Sequence, residues 1–265
     1  MKLALGLGFF VTAVLYASVG FGGGSTYTAL LVLTQTPFLL IPVISLLCNI
    51  CVVSGSSYRH LKRGSVRLQK ILPLCIFSIP AAYIGGRLHI SETLFIGLLA
   101  IALFIAGLRL LRAKTPSAET SPLADTPPHI LRDLLIGAVI GFYSGIVGIG
   151  GGIFLAPILY HFRWGEELGG DGLAIAGAAS LFIFVNSCAG LAGHITKFGP
   201  DIYTQILPYG PLVVAVLLGG ALGNYMSFNY LKPQHLRRLT GGLILLVSLR
   251  LAARWISLIQ GNGFL

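Results

Sequence analysis

The chain has 265 residues, 55% of them hydrophobic and only 10% charged, with a mean hydropathy of +0.87. A soluble domain carries about a quarter charged residues, so this composition excludes a disordered chain, a disulfide scaffold and an ordinary soluble enzyme. The net charge of +10 sits in short gaps between apolar runs, where membrane topology puts it. No aromatic-interleaved basic patch accompanies it, so no nucleic-acid partner is expected.

Eight apolar segments follow one another, at about 3–34, 38–57, 70–88, 93–112, 131–161, 172–195, 203–225 and 235–258. Each approaches or exceeds the roughly 20 residues that a spanning helix needs, which predicts an all-α polytopic membrane protein. The first segment follows Lys2 but is too long for the apolar region of a signal peptide, and is expected to be retained. Between the fourth and fifth segments lies the one polar, proline-rich stretch, with Pro116, Pro122, Pro127 and Pro128. It reads as a linker over 113–130 that separates an N-terminal repeat (1–112) from a C-terminal one (131–265). Cys48, Cys51, Cys75 and Cys188 lie inside apolar runs and read as small buried hydrophobes.

The two halves share four landmarks in the same order. Val19-Gly20-Phe21-Gly22-Gly23-Gly24 matches Val147-Gly148-Ile149-Gly150-Gly151-Gly152, with Tyr16 and Tyr143 about one turn before each run. Leu46-Leu47-Cys48-Asn49 is echoed by Ile183-Phe184-Val185-Asn186, Ile71-Leu72-Pro73 by Ile206-Leu207-Pro208, and Gly85-Gly86 by Gly219-Gly220. This pattern predicts two homologous four-segment repeats, a construction common among secondary transporters. Extra residues near Trp164–Gly172 shift the register in the second half.

The first and fifth segments are about 30 residues long, roughly 45 Å as straight helix, and exceed the hydrocarbon core. Their central glycines have no side chain to hold helical dihedrals, so each helix is expected to break there. Such breaks survive in a bilayer only when buried in protein or lining a polar cavity. The half-helices beginning near Gly24 and Gly152 would present free N–H groups and positive dipole ends, an anion site without a charged side chain. Gly22, Gly23, Gly24, Ser25, Gly150, Gly151 and Gly152 are therefore candidate substrate-binding residues. The competing reading is close helix packing, which suits Gly137, Gly141 and Gly145, spaced four apart.

Asn49 and Asn186 fall mid-helix at matching depths. Their amides can donate to an oxyanion or glue helices together, and the pairing favours a cavity role. Tyr16 and Tyr143 are candidates for lining or gating, and His194 for carrying a proton. Segment interiors hold no Asp or Glu, so a carboxylate proton relay is not expected. No Walker sequence and no His-Glu-x-x-His metal site occur, so neither cofactor nor metal is expected. A hydrolase built on Ser25 or Ser187 with His194 is the enzymatic rival, but Gly-x-Ser-x-Gly is missing and no third group orients the histidine. The chain is expected not to be an enzyme.

Two topologies satisfy the charge bias equally. If every segment spans, the halves are parallel; if the glycine-broken segments re-enter, the halves are inverted. Both put the Tyr58–Lys70 loop and the linker in the cytoplasm. Small-residue faces permit a homodimer.

These residues together, the glycine runs at Gly20–Gly24 and Gly148–Gly152, the duplication and the basic loop after the second segment, resemble the TauE/SafE family of bacterial membrane proteins. The resemblance covers nearly the whole chain. It implies a secondary carrier in the inner membrane that moves small sulfur-containing anions such as sulfite or organosulfonates, by export, without ATP. It also implies that Gly22, Gly23, Gly24, Gly150, Gly151, Gly152, Asn49 and Asn186 line the site. A carrier of the same fold for another small anion or metabolite is the alternative.

Overall fold

The computed structural model describes residues 2–18, 20–64, 66, 68–112, 130–161, 172–226 and 233–260. The linker expected at 113–130 lies outside these residues apart from Ile130, and so does most of the insertion near Trp164–Gly172. The described helices are α1 (Lys2–Ser18), α2 (Gly24–Leu33), α3 (Ile41–Lys62), α4 (Leu68–Arg87), α5 (Glu92–Arg112), α6 (Ile130–Val147), α7 (Gly152–His161), α8 (Gly172–Phe198), α9 (Asp201–Ile206), α10 (Gly210–Met226) and α11 (Pro233–Ile259). A 3₁₀ turn, Leu207–Tyr209, joins α9 to α10. No strand occurs among the described residues.

All eight expected segments appear, with ends shifted by a few residues, and the first and fifth are each two helices. Among the described residues, five stretches are long and apolar enough to cross a bilayer: α3, most of α5, α6, most of α8 and the run from α9 through α10. The surface and interior follow lipid rather than water. Leu3, Val139 and Leu207 are 90%, 69% and 78% exposed, while Ser45, Asn49, Asn186 and Ser187 are fully buried. Apolar side chains outside and hydrogen-bonding ones inside suit a solvent without hydrogen bonds. Cys48 and Cys75 are buried as expected and Cys51 is half-buried, but Cys188 is exposed. It faces outward from α8, so it is not the buried hydrophobe that its apolar neighbourhood implied.

Glycine sets the helix spacing. On α6, Gly137, Gly141 and Gly145 lie directly on the carbonyls of Leu74, Ser78 and Ala82 of α4. On α10, Gly219 and Gly223 lie on the carbonyls of Phe10 and Val14 of α1. Residue numbers rise together in both pairs, so each pair is parallel. Repeated four-residue spacing lets two backbones touch along a line, which brings dispersion and Cα–H···O contacts that larger side chains would prevent. The packing expected for Gly137, Gly141 and Gly145 is therefore what these residues do.

The remaining contacts order the bundle. Helix α3 packs antiparallel to α8, with Ser57 and Ser180 sharing a 2.7 Å hydrogen bond near one end and Leu46 against Gly190 near the other. Helix α5 pairs with α11, where Arg254 meets Glu92 at 2.8 Å. Arg59 donates to the Asn224 carbonyl of α10 at 2.8 Å, tying the ends of α3 and α10. Pro73 lies inside the continuous α4, whereas its sequence echo Pro208 sits in the 3₁₀ turn before α10.

A methyl group at Gly145 must displace the Ala82 backbone. We expect Gly145→Ala to lower stability by about 1–3 kcal/mol. Gly6→Ala, which meets nothing within 4 Å, should be neutral or slightly stabilising. Thermal unfolding of the detergent-solubilised protein checks both; equal melting temperatures would show that the α4–α6 line tolerates separation.

Candidate functional site

The site begins with two chain reversals. After α1 the backbone turns through Gly20, whose φ of +77° is open to glycine, and after α6 it turns through Gly148 at φ +78°. These are corresponding positions of the two glycine runs. The second turn then demands more: Gly150 and Gly151 also have φ near +80°, whereas Gly23 sits at −86°. Past the first break, Phe9 stacks on Tyr27 with centroids 4.7 Å apart, and Tyr16 shares a 3.0 Å hydrogen bond with Thr26. Past the second, Gly151 lies against Ile140 and Ser144, and Phe154 meets the Tyr143 ring edge-on at 5.7 Å. Thus α2 begins against α1, and the first turn of α7 lies against the end of α6. At 10 residues each, α2 and α7 are about 15 Å long, half of a bilayer core.

The two tips meet on one side chain of α3. A methyl placed on Gly22 would lie 2.7 Å from Asn49 Oδ1, and one on Gly150 would lie 2.9 Å from Asn49 Nδ2. Gly24 also touches Asn49 and the Ile149 carbonyl. Asn49 Nδ2 donates to that carbonyl at 3.0 Å, binding the second tip to α3. The first tip is held one turn away, where Ser45 Oγ donates to the Gly24 carbonyl at 3.1 Å. Thr28 Oγ1 lies 2.8 Å from the same carbonyl.

The candidate residues divide accordingly. Gly22, Gly24, Gly150 and Asn49 come together. Gly152 faces Ile183, which lies between the tips from α8. Gly23 faces Tyr27 and Thr12 within its own reversal, and Gly151 faces Ile140 of α6 and Phe182 of α8; neither meets Asn49. Ser25 is buried in the first turn of α2. Asn186 is fully buried, but its amide donates to Phe182 of its own helix at 2.9 Å. Its neighbour Ser187 approaches the tip instead: its Oγ is 2.7 Å from a methyl position on Gly150. Ile183 carried no signal in an apolar helix, whereas Ser187 stood out as a hydroxyl in an apolar run, named above as a hydrolase nucleophile.

Several buried groups here have no partner. Asn49 Oδ1, Asn186 Oδ1 and Ser187 Oγ make no hydrogen bond. Among the described residues, no carbonyl accepts from the N–H groups of Gly24 and Ser25, nor from those of Gly152 and Ile153. Two half-helix N-termini thus bring free donors to one place. Asp133 is the buried charged residue among those described, and it pairs with Arg132 at 3.1 Å at the start of α6, away from the tips.

Tyr143 donates to the Leu98 carbonyl of α5. His194 is buried, stacked on Phe198, with Nε2 2.9 Å from the Gly145 carbonyl and Nδ1 unpartnered. A carbonyl accepts only, so Nε2 carries the proton. No hydrogen bond joins His194 to Ser25 or Ser187 among the described residues, so the hydrolase pairing is not assembled.

These features define a multi-pass helical membrane protein with discontinuous helices meeting in its interior. Residues 4–251 match the TauE family, described as Sulfite exporter TauE/SafE. The chain belongs to that family, and is a membrane transporter of the TauE/SafE type. It is 32% identical over 250 residues to a "Probable membrane transporter protein" of Sinorhizobium fredii, covering 94% of this chain and 97% of that one. It is 24% identical over 202 residues to a "Probable membrane transporter protein" of Methanocaldococcus jannaschii, covering 71% and 70%. No solved structure matches.

Asn49→Ala removes the donor to Ile149 and leaves a buried carbonyl unpaired, which costs about 1–3 kcal/mol. Asn186→Ala breaks only a bond within its own helix and should cost less. Unfolding of both variants in matched detergent tests this order; equal losses would deny Asn49 its role between the tips.

Proposed function

We propose that this protein is a secondary carrier in the inner membrane that exports a small sulfur-containing anion, sulfite or an organosulfonate, bound where the two glycine tips meet at Asn49. The observation that carries the reading is the convergence of two free half-helix N-termini on buried, unpartnered polar side chains in a lipid-embedded interior. Such an arrangement binds negative charge through backbone N–H groups and dipoles, at less desolvation cost than a buried cation.

The same reading takes the chain as two inverted repeats whose glycine-broken segments re-enter. Exchanging α1 to α5 for α6, α7, α8, α10 and α11 turns the most extensive helix pairings into one another: α1 with α10 becomes α6 with α4, and α2 with α11 becomes α7 with α5, while α3–α8 and α5–α11 map onto themselves. The short lengths of α2 and α7, folded back on α1 and α6, support re-entry over spanning. Transport then follows from the inequality of the halves. Asn49 reaches across to the Ile149 carbonyl, whereas Asn186 stays on its own helix. The opposite-facing state exchanges these roles, with Asn186 reaching the matching carbonyl of Phe21, and the bound anion passes between the two sides.

Flux of labelled sulfite in proteoliposomes tests the reading. Asn49→Ala should lower the initial rate tenfold or more, since a buried hydrogen bond to a charged group is worth about 1.5–3 kcal/mol. Undiminished flux in both Asn49→Ala and Asn186→Ala rejects the site. Hydrolytic activity without flux would favour the enzymatic rival.

A further inference from the structure

The atoms left unpartnered where the tips meet specify more than negative charge. We propose that the ligand is an oxyanion with a single charge that also donates a hydrogen bond, so that a sulfur oxyanion is taken in its protonated form, hydrogensulfite, and not as the sulfite dianion. This rests on the anion-carrier reading above and narrows it.

The charge comes first. Among the described buried residues there is no Lys or Arg, so the positive field at the site comes from α2 and α7. Each half-helix N-terminus acts as roughly half an elementary charge. Two together balance about one negative charge, and a dianion would leave one uncompensated in a medium where that is costly.

The hydrogen-bonding inventory comes second. Asn49 Nδ2 is committed to the Ile149 carbonyl, an acceptor without a proton, which fixes the amide orientation. Oδ1 therefore points to the Gly22 side, fully buried and without a donor. Ser187 Oγ, fully buried against Gly150, has lone pairs free as well. A ligand presenting only oxygen acceptors would satisfy the backbone N–H groups but face Asn49 Oδ1 with a repulsive contact. One O–H or N–H on the ligand gives that oxygen its missing donor. Asn49 Oδ1 is thus the specificity-determining acceptor that reads the acid proton, and Ser187, a hydroxyl that accepts as well as donates, supports it, while the half-helices read the oxyanion.

Sulfamate and methanesulfonate separate these contributions, being monoanions of nearly the same shape that differ by an amino group against a methyl. Their binding to the purified protein in detergent is measured by titration calorimetry beside sulfate, a dianion without a proton. Sulfamate should bind on the order of tenfold or more tighter than methanesulfonate, because a site built around a donor rejects the analogue lacking it. Sulfate should bind more weakly than either. Ser187→Ala and Asn49→Ser should each shrink the ratio of sulfamate to methanesulfonate affinity, Asn49→Ser more strongly. In proteoliposomes, sulfite flux should follow the hydrogensulfite fraction across neutral pH while sulfamate flux stays constant, which removes titration of the protein as a cause. Equal binding of sulfamate and methanesulfonate, or sulfate binding tightest, overturns the donor requirement and leaves the anion site standing. Failure of all three anions to bind overturns the anion site together with it.

Discussion

The structure depends on one constraint: a backbone polar group inside a bilayer has no water to bond, so every interruption of a helix must be covered by protein. Glycine runs interrupt the chain twice, and the bundle is arranged to receive both interruptions. Ser45 and Thr28 cover the Gly24 carbonyl, Asn49 covers the Ile149 carbonyl, and the close parallel pairs α4–α6 and α1–α10 hold the helices that lead into the breaks. These two carbonyls are therefore met by side chains of the bundle. The N–H groups of Gly24, Ser25, Gly152 and Ile153 meet no backbone carbonyl among the described residues.

Glycine serves two unlike purposes along the chain. In α6 and α10 it is a spacer, where a missing side chain lets carbonyls of the next helix come into contact. In the runs it is a hinge and a window, with positive φ at Gly20 and Gly148 and, at Gly22 and Gly150, a backbone bare enough for Asn49 to touch it. The same residue type carries both because each use depends on an absent Cβ. Spacing by four in a continuous helix marks the first use, and clustering marks the second.

The two glycine runs share a positive-φ turn, at Gly20 and Gly148, but not its details. Gly150 and Gly151 occupy left-handed conformations that Gly23 does not, and Ser187 takes the position next to the tip that Asn186 leaves by bonding to Phe182.

Much was legible in the sequence. Apolar length set the segments, because a bilayer of fixed thickness demands helices of fixed length, and the glycine runs marked both breaks, because consecutive residues without a Cβ hold helical dihedrals weakly. The pairing of Asn49 with Asn186 was visible as a repeat, yet their unequal use was not: which amide crosses to the other tip depends on a contact between residues 100 positions apart. The direction of α2 and α7 after each break was equally hidden, since an apolar stretch of 10 residues continues or doubles back with the same composition. Ile183 and Ser187 entered the site, and Cys188 left the interior, through the rotation of α8 against the tips. The order of helices and the places where they stop were local matters of hydrophobicity and backbone freedom, decided by the sequence itself. The partner that each freed polar group found was decided by tertiary packing, because in lipid that partner must come from another part of the chain.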